Sequence, residues 1–300
     1  MNDPQPVGIA HRRLGSAGSH VAAAPAEPRG RNLAVAVPVA LGLIGLLLAT
    51  VLFNPWPFVV LVCLALVLGS WELCRALAAG GVEVPTQPLA LGGVGTQVAA
   101  ATSGVPGVVL GLGLTVALMV AWRLVDAVPN LPPARDLYAA VFAVLYLPAL
   151  ASFVVLLVFQ DFWNYGRWLV IVLIALPVAS DTGGYFAGSY LGRHKLAPQV
   201  SPKKTWEGLA GSVLLGMVVA AVALWLLDGP IWLGITLGLL GAGTATLGDL
   251  AESLLKRELG IKDMGWLLPG HGGVLDRVDS ILLTAPMAYI VLTWWLHGGP

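Results

Sequence analysis

The stretch from Asp249 to Asp279 is dense in groups that can handle phosphates and divalent cations. If a helix runs through its start, Asp249, Ser253 and Lys256 fall at i, i+4 and i+7 on one face, with Glu252 close by. Lys262, Asp263, His271, Asp276, Arg277 and Asp279 follow. Asp276 and Asp279, at i and i+3, can share a helix face. Oxygen ligands beside substrate phosphates are what Mg²⁺ takes. Carboxylates from separate helix ends could hold a pair of ions at the spacing phosphoryl-transfer enzymes use. Salt bridges to Lys256, Arg257 or Arg277 would account for some of these acids, but not for three of them in one apolar corner. His271 stands among glycines, which favours phosphate contact or turn structure over metal ligation.

Two further blocks lie upstream. Asp181 sits near the end of an apolar run, followed by Gly183, Gly184 and Gly188. A carboxylate within a membrane span costs about 2.5–3.5 kcal/mol, so it is a functional candidate by default. The glycines would allow close backbone approach to a ligand, or close packing of helices. The second block contains Ser201, Lys203, Lys204 and Thr205 with Pro198 and Pro202. Lysines, hydroxyls and Pro-fixed turns in a loop leading into a helix suit a triphosphate. On charge alone, the same loop could instead bind anionic lipid headgroups. There is no Walker loop, no Gly-x-Ser-x-Gly elbow, no His-Glu-x-x-His and no paired-cysteine metal site.

These groups must be carried by membrane helices. Of 300 residues, 57% are hydrophobic and only 11% charged, where soluble domains carry roughly 25% charged residues. Inside a bilayer the backbone must satisfy itself, and no barrel-type alternation is sustained, so the fold is all-α and polytopic. Nine apolar runs are long enough to span: approximately 33–53, 57–79, 84–101, 105–125, 137–159, 168–190, 209–227, 231–250 and 280–296. The third is the weakest, being Gly-rich with Gln87 and Gln97; the first two are divided only by Asn54-Pro55-Trp56.

With a cytoplasmic N-terminus, nine spans leave only Arg167 of the 16 Lys and Arg residues on the far side. The expected layout is a disordered tail over residues 1–32, scaffold helices over 33–160 and a catalytic region over 161–300, its site facing the cytoplasm. Cys63 and Cys74 are spaced along one helix and cannot bridge.

Ser253-Leu-Leu-Lys256-Arg257, Lys262-Asp263, Pro269-Gly270-His271-Gly272-Gly273 and Asp276-Arg277-Val-Asp279 together resemble the signature of bacterial phosphatidate cytidylyltransferases. Asp181-Thr-Gly-Gly-Tyr185 and Ser201-Pro-Lys-Lys-Thr-Trp-Glu-Gly208 are similar to that family as well. The resemblance covers roughly the last 120 residues. It implies CTP and phosphatidic acid as substrates, CDP-diacylglycerol and pyrophosphate as products, and a homodimer in the inner or plasma membrane. It also implies Mg²⁺, as two divalent ions or one with a monovalent ion, with Asp249 and Asp276 as metal ligands. Lys256, Arg257, Lys262, Asp263, His271, Arg277 and Asp279 make up the expected catalytic set. Asp181, Ser201, Lys203, Lys204, Thr205 and Ser253 are assigned to CTP and its phosphates. No nucleic-acid partner is expected.

The alternatives are another CTP-dependent membrane lipid enzyme (a polyprenol kinase or an archaeol-type cytidylyltransferase), a transporter, and a lipid-binding scaffold. A transporter predicts charges spread through a pore and symmetry between halves, and the sequence has neither. A scaffold leaves the acid cluster without purpose.

Overall fold

Pro, Gly and Asn breaks cut the apolar sequence into helices, and the computed structural model describes them over residues 33–126, 134–268 and 272–298. The N-terminal tail and His271, with Pro269 and Gly270, lie outside the described residues. Helix α1 (Leu33–Phe53) ends at Asn54, whose side chain caps α2 (Pro55–Ala79) by accepting the Trp56 N–H at 2.9 Å. Proline suits the first position of α2, where no intrahelical N–H partner is needed.

α3 (Thr86–Asp126) is a helical hairpin. Gly104 has φ 61° and ψ −143°, a conformation no helix contains and that glycine alone adopts cheaply. Thr96 Oγ1 and Thr115 Oγ1 are 3.1 Å apart, whereas a straight helix would separate them by about 28 Å. The two arms match the third and fourth apolar runs of the sequence.

α4 (Ala134–Val144) continues through a π-helical turn at Leu145–Ala149 into α5 (Leu150–Val158). Pro148 causes the widening, and the Pro148 carbonyl accepts from Gln97 Nε2 of α3 at 2.9 Å. After a second π turn at Phe162–Gly166 come α6 (Arg167–Leu191), α7 (Trp206–Leu226), α8 (Ile231–Glu258) and α9 (Leu275–Leu296). Seven helices of the described residues are long and apolar enough to cross a bilayer, and the protein is an all-α polytopic membrane protein.

The α6–α9 helices pack in sequence order, and small residues set their spacing. On α7 the buried positions are Gly208, Ser212, Gly216, Ala220 and Leu224, one every four residues. A Cβ on Gly211 would meet the Gly183 carbonyl and Ala187; one on Gly216 would sit 3.0 Å from the Gly238 carbonyl. Leu173, Leu176, Leu224, Leu237 and Leu292 fill the core behind these contacts, while Leu214, Val218 and Val222 of α7 face outward.

The segment between α6 and α7 departs from the loop expected there. It is a two-stranded antiparallel hairpin, β1 (Lys195–Ala197) and β2 (Ser201–Thr205), with Lys195 opposite Thr205 and Ala197 opposite Ser201. Glu207 of α7 anchors its root by accepting the Arg193 and His194 backbone N–H groups at 3.1 and 3.2 Å.

Basic residues gather at the hairpin end of the bundle. Arg75 stacks on Trp266, Arg123 pairs with Asp136, Lys204 with Asp249 and Lys256 with Asp276. Arg167 lies at the opposite end, donating to the Leu52 carbonyl.

Candidate active site

Between α6, the β-hairpin, α7 and α8 lies a cavity of about 350 Å³. Asp181, Gly184 and Gly188 line it from α6, Lys203 and Lys204 from β2, and Thr246 from α8. The two candidate uses of the glycines are divided among them. Gly183 packs against the backbone of Gly211, whereas Gly184 and Gly188 keep side chains out of the cavity wall. Ser212 Oγ donates to the Ser180 carbonyl at 2.6 Å and closes the floor.

Lys204 links this cavity to the acids of α8 and α9. Its ammonium forms an ion pair with Asp249. Asp181 is within electrostatic reach of Asp249, Lys204 and Arg277, although the four belong to four different elements. One turn along α8, Glu252 is almost fully buried, and Lys256 Nζ lies 2.5 Å from its Oε2 and 3.0 Å from Asp276 Oδ1. Asp279 is buried as well and lies within electrostatic reach of Glu252. A close approach makes this possible: a Cβ on Gly248 would be 3.0 Å from the Asp279 carbonyl, so α8 and α9 nearly touch there.

Asp276 is held by backbone as well as by Lys256. Its carboxylate accepts the Gly273 N–H at 2.9 Å and the Met264 N–H at 3.1 Å. At the start of α9 this resembles half of a capping box, with an acid of the first turn reaching back three residues to an amide that the helix leaves unpaired.

Thr205 lines the cavity too, and its Oγ1 accepts the Gly208 N–H at 3.0 Å as the N-cap of α7, which fixes the helix that follows the hairpin. Other expected site residues lie further out. Ser201 sits where β2 begins and is not on the cavity wall. Arg257 is exposed and ties α8 to the hairpin through its Nε–H and the Val200 carbonyl at 3.4 Å. Lys262 and Asp263 are exposed on the α8–α9 loop, and Ser253 is half-buried on α8.

Two groups at this site were missed in the sequence. Glu72 of α2 is fully buried, and its two oxygens accept the Val274 and Leu275 N–H groups at 3.0 and 2.8 Å. Tyr146, on the π turn, has a buried hydroxyl with no hydrogen-bond partner among the described residues, within electrostatic reach of Glu252, Asp279 and Asp276. Both signals were present: an acid inside an apolar span for Glu72, and a proline-disturbed helix for Tyr146.

The donor set suits an oxygen-seeking cation. Five carboxylates (Asp181, Asp249, Glu252, Asp276 and Asp279) gather around Lys204 and Lys256, with Arg277 in electrostatic reach of Asp181, and Glu252 Oε1 is a buried oxygen without a donor among the described residues. Among the described residues, no three Asp, Glu, His or Cys side chains converge into a complete metal cage.

Comparison with known proteins agrees with this geometry. Residues 34–295 match the Cytidylyltransferase family. The chain is 40% identical over 279 residues to a protein of Mycobacterium leprae named phosphatidate cytidylyltransferase, covering 88% of each chain. It is 40% identical over 276 residues to one of the same name from Mycobacterium bovis, covering 88% of this chain and 89% of the other. A Bacillus subtilis protein of that name is 43% identical over 133 residues, 43% of this chain and 49% of its own length. A lysine-lined cavity opening onto a buried acid cluster is thus found in a chain that belongs to the cytidylyltransferase family.

Proposed function

We propose that the protein transfers the cytidylyl group of CTP to phosphatidic acid, forming CDP-diacylglycerol and releasing pyrophosphate. The observation that carries this reading is the Lys204–Asp249 pair, which joins a cavity lined by two lysines to the carboxylates of α8 and α9. Support comes from the relatives named phosphatidate cytidylyltransferase, which match across most of the chain.

The nucleophile is a phosphate oxygen of the lipid, already anionic at neutral pH, so no general base is needed. It forms a bond to the α-phosphorus of CTP as the bond to pyrophosphate breaks. Repulsion between the two anions is the main obstacle, so catalysis is positioning and charge neutralisation. Lys203 and Lys204 hold the triphosphate in the cavity. Lys256 and Arg277 neutralise charge where the lipid phosphate meets it. Asp249 and Asp276 would hold Mg²⁺, with Asp279 and Asp181 nearby. When bound, the ion screens the phosphates from each other and draws charge from the leaving pyrophosphate. The ion pairs to Lys204 and Lys256 fix both carboxylates in place.

The reading extends to a homodimer in the inner or plasma membrane, nine spans with the N-terminus in the cytoplasm, and a site that takes CTP from that side. The test of the lipid partner is direct. Detergent-purified protein is given labelled CTP and Mg²⁺ with phosphatidic acid, a polyprenol or no lipid. Label in a lipid product with phosphatidic acid alone supports the reading, and label with the polyprenol alone overturns it.

A further inference from the structure

The α8–α9 loop is gripped from outside the catalytic helices. Three residues of α2 do this: Trp71 meets Trp266 edge-on at 5.8 Å, Arg75 stacks 3.6 Å over the same ring, and Glu72 reaches between them to the start of α9. The first amides of a helix have no intrahelical partner. Here Gly273 gives its N–H to Asp276, while Val274 and Leu275 give theirs to Glu72. Asp276 and Glu72 thus divide one set of amides, one from within α9 and the other from across the bundle.

The glycines around the carboxylate show how close the fit is. A Cβ on Gly273 would lie 2.6 Å from Glu72 Oε2, and one on Gly265 would run into Oε1. Charge is also involved: Glu72 is close enough to Asp276 for the two carboxylates to repel each other. Glu72 therefore takes the Val274 and Leu275 amides, and Asp276 is left with those of Gly273 and Met264 and with Lys256.

We infer that Glu72 is a positioning residue for the reaction: by capping α9 from α2 it fixes Asp276 where the cytidylyl transfer needs it. This rests on the role proposed for Asp276. Glu72 is not on the cavity wall and its hydrogen bonds go to the start of α9, so it acts on the α9 side of the site and not on CTP binding.

The test compares Glu72→Gln, Glu72→Ala and Gly273→Ala with the parent protein. In Glu72→Gln one oxygen becomes an amide that cannot accept, so one N–H is lost. Turnover should fall by about 10–100-fold, the range for residues that orient metal ligands, while KM for CTP stays within about threefold. Gly273→Ala keeps the carboxylate but displaces it, and should give a similar fall. A second readout needs neither substrate nor metal: amide exchange at one of Val274 and Leu275 should speed up at least about tenfold in Glu72→Gln, the scale of one charged hydrogen bond lost.

Parent-like turnover in Glu72→Gln or Gly273→Ala, or unchanged exchange in Glu72→Gln, overturns the inference. So does an equal loss of turnover, CTP affinity and thermal stability in Glu72→Gln and Glu72→Ala, which marks a residue that only holds the fold. A parent protein that makes no CDP-lipid would sink the proposed reaction instead, and the exchange measurement would still report on Glu72.

Discussion

Lys256 Nζ stands 3.0 Å from Asp276 Oδ1 and 2.5 Å from Glu252 Oε2, so one ammonium holds the end of α8 to the start of α9. Removing it leaves two buried carboxylates facing each other. Breaking a buried pair by deleting one partner costs about 3–5 kcal/mol. Lys256→Met should therefore lower the thermal midpoint sharply. Lys256→Met combined with Glu252→Gln should recover much of that stability and stay inactive, since the charge near the lipid phosphate is still missing. Thermal unfolding in detergent, read beside product formation, separates the two effects.

Lys204 is predicted to act on the nucleotide. Lys204→Met should raise KM for CTP by about 10–100-fold, the scale of a charge-assisted hydrogen bond, with Lys204→Arg intermediate. Initial rates across a CTP series check this.

Removal of divalent ions with a chelator should abolish turnover, and Mg²⁺ should restore it. Asp249→Asn and Asp276→Asn should each need more Mg²⁺ for half-maximal rate, by about 10-fold or more given the weight of a carboxylate ligand. A Mg²⁺ titration of rate provides the comparison.

The α6–α7 contact should tolerate no added bulk. Gly183→Leu forces a side chain into the Gly211 backbone, at a cost of about 1–3 kcal/mol or more. A lower yield of folded protein and a lower thermal midpoint are expected. Tyr146→Phe goes the other way: it deletes a buried hydroxyl that has no partner among the described residues, so the thermal midpoint should hold or rise.

Much of this arrangement was legible in the sequence because lipid imposes long apolar runs, and each run became a helix or the arm of one. The hairpin arms of α3 were separable because Gly104 and Pro106 interrupt a pattern that is otherwise continuous. The spacing of Asp249, Ser253 and Lys256 placed them on one helical face, and α8 does run through all three. The β-hairpin was not legible: Ser201-Pro-Lys-Lys-Thr205 has no apolar alternation, and its strands are fixed from outside by Glu207. Glu72 was hidden for a different reason. Its partners are backbone amides some 200 residues away, and amides leave no trace in residue types. The same holds for the nearness of Asp279 to Glu252, which depends on how closely Gly248 lets α9 approach.

The central claim is that the cytidylyl group, and not the terminal phosphate, leaves CTP for phosphatidic acid. The most direct measurement supplies phosphatidic acid and Mg²⁺ with CTP labelled at either the α- or the γ-phosphate, using the parent protein and Asp276→Ala at equal amounts. The account predicts that α-label enters the lipid, that γ-label leaves as pyrophosphate, and that Asp276→Ala does neither. Label from the γ-phosphate in the lipid, or α-label transferred at a normal rate by Asp276→Ala, would contradict it.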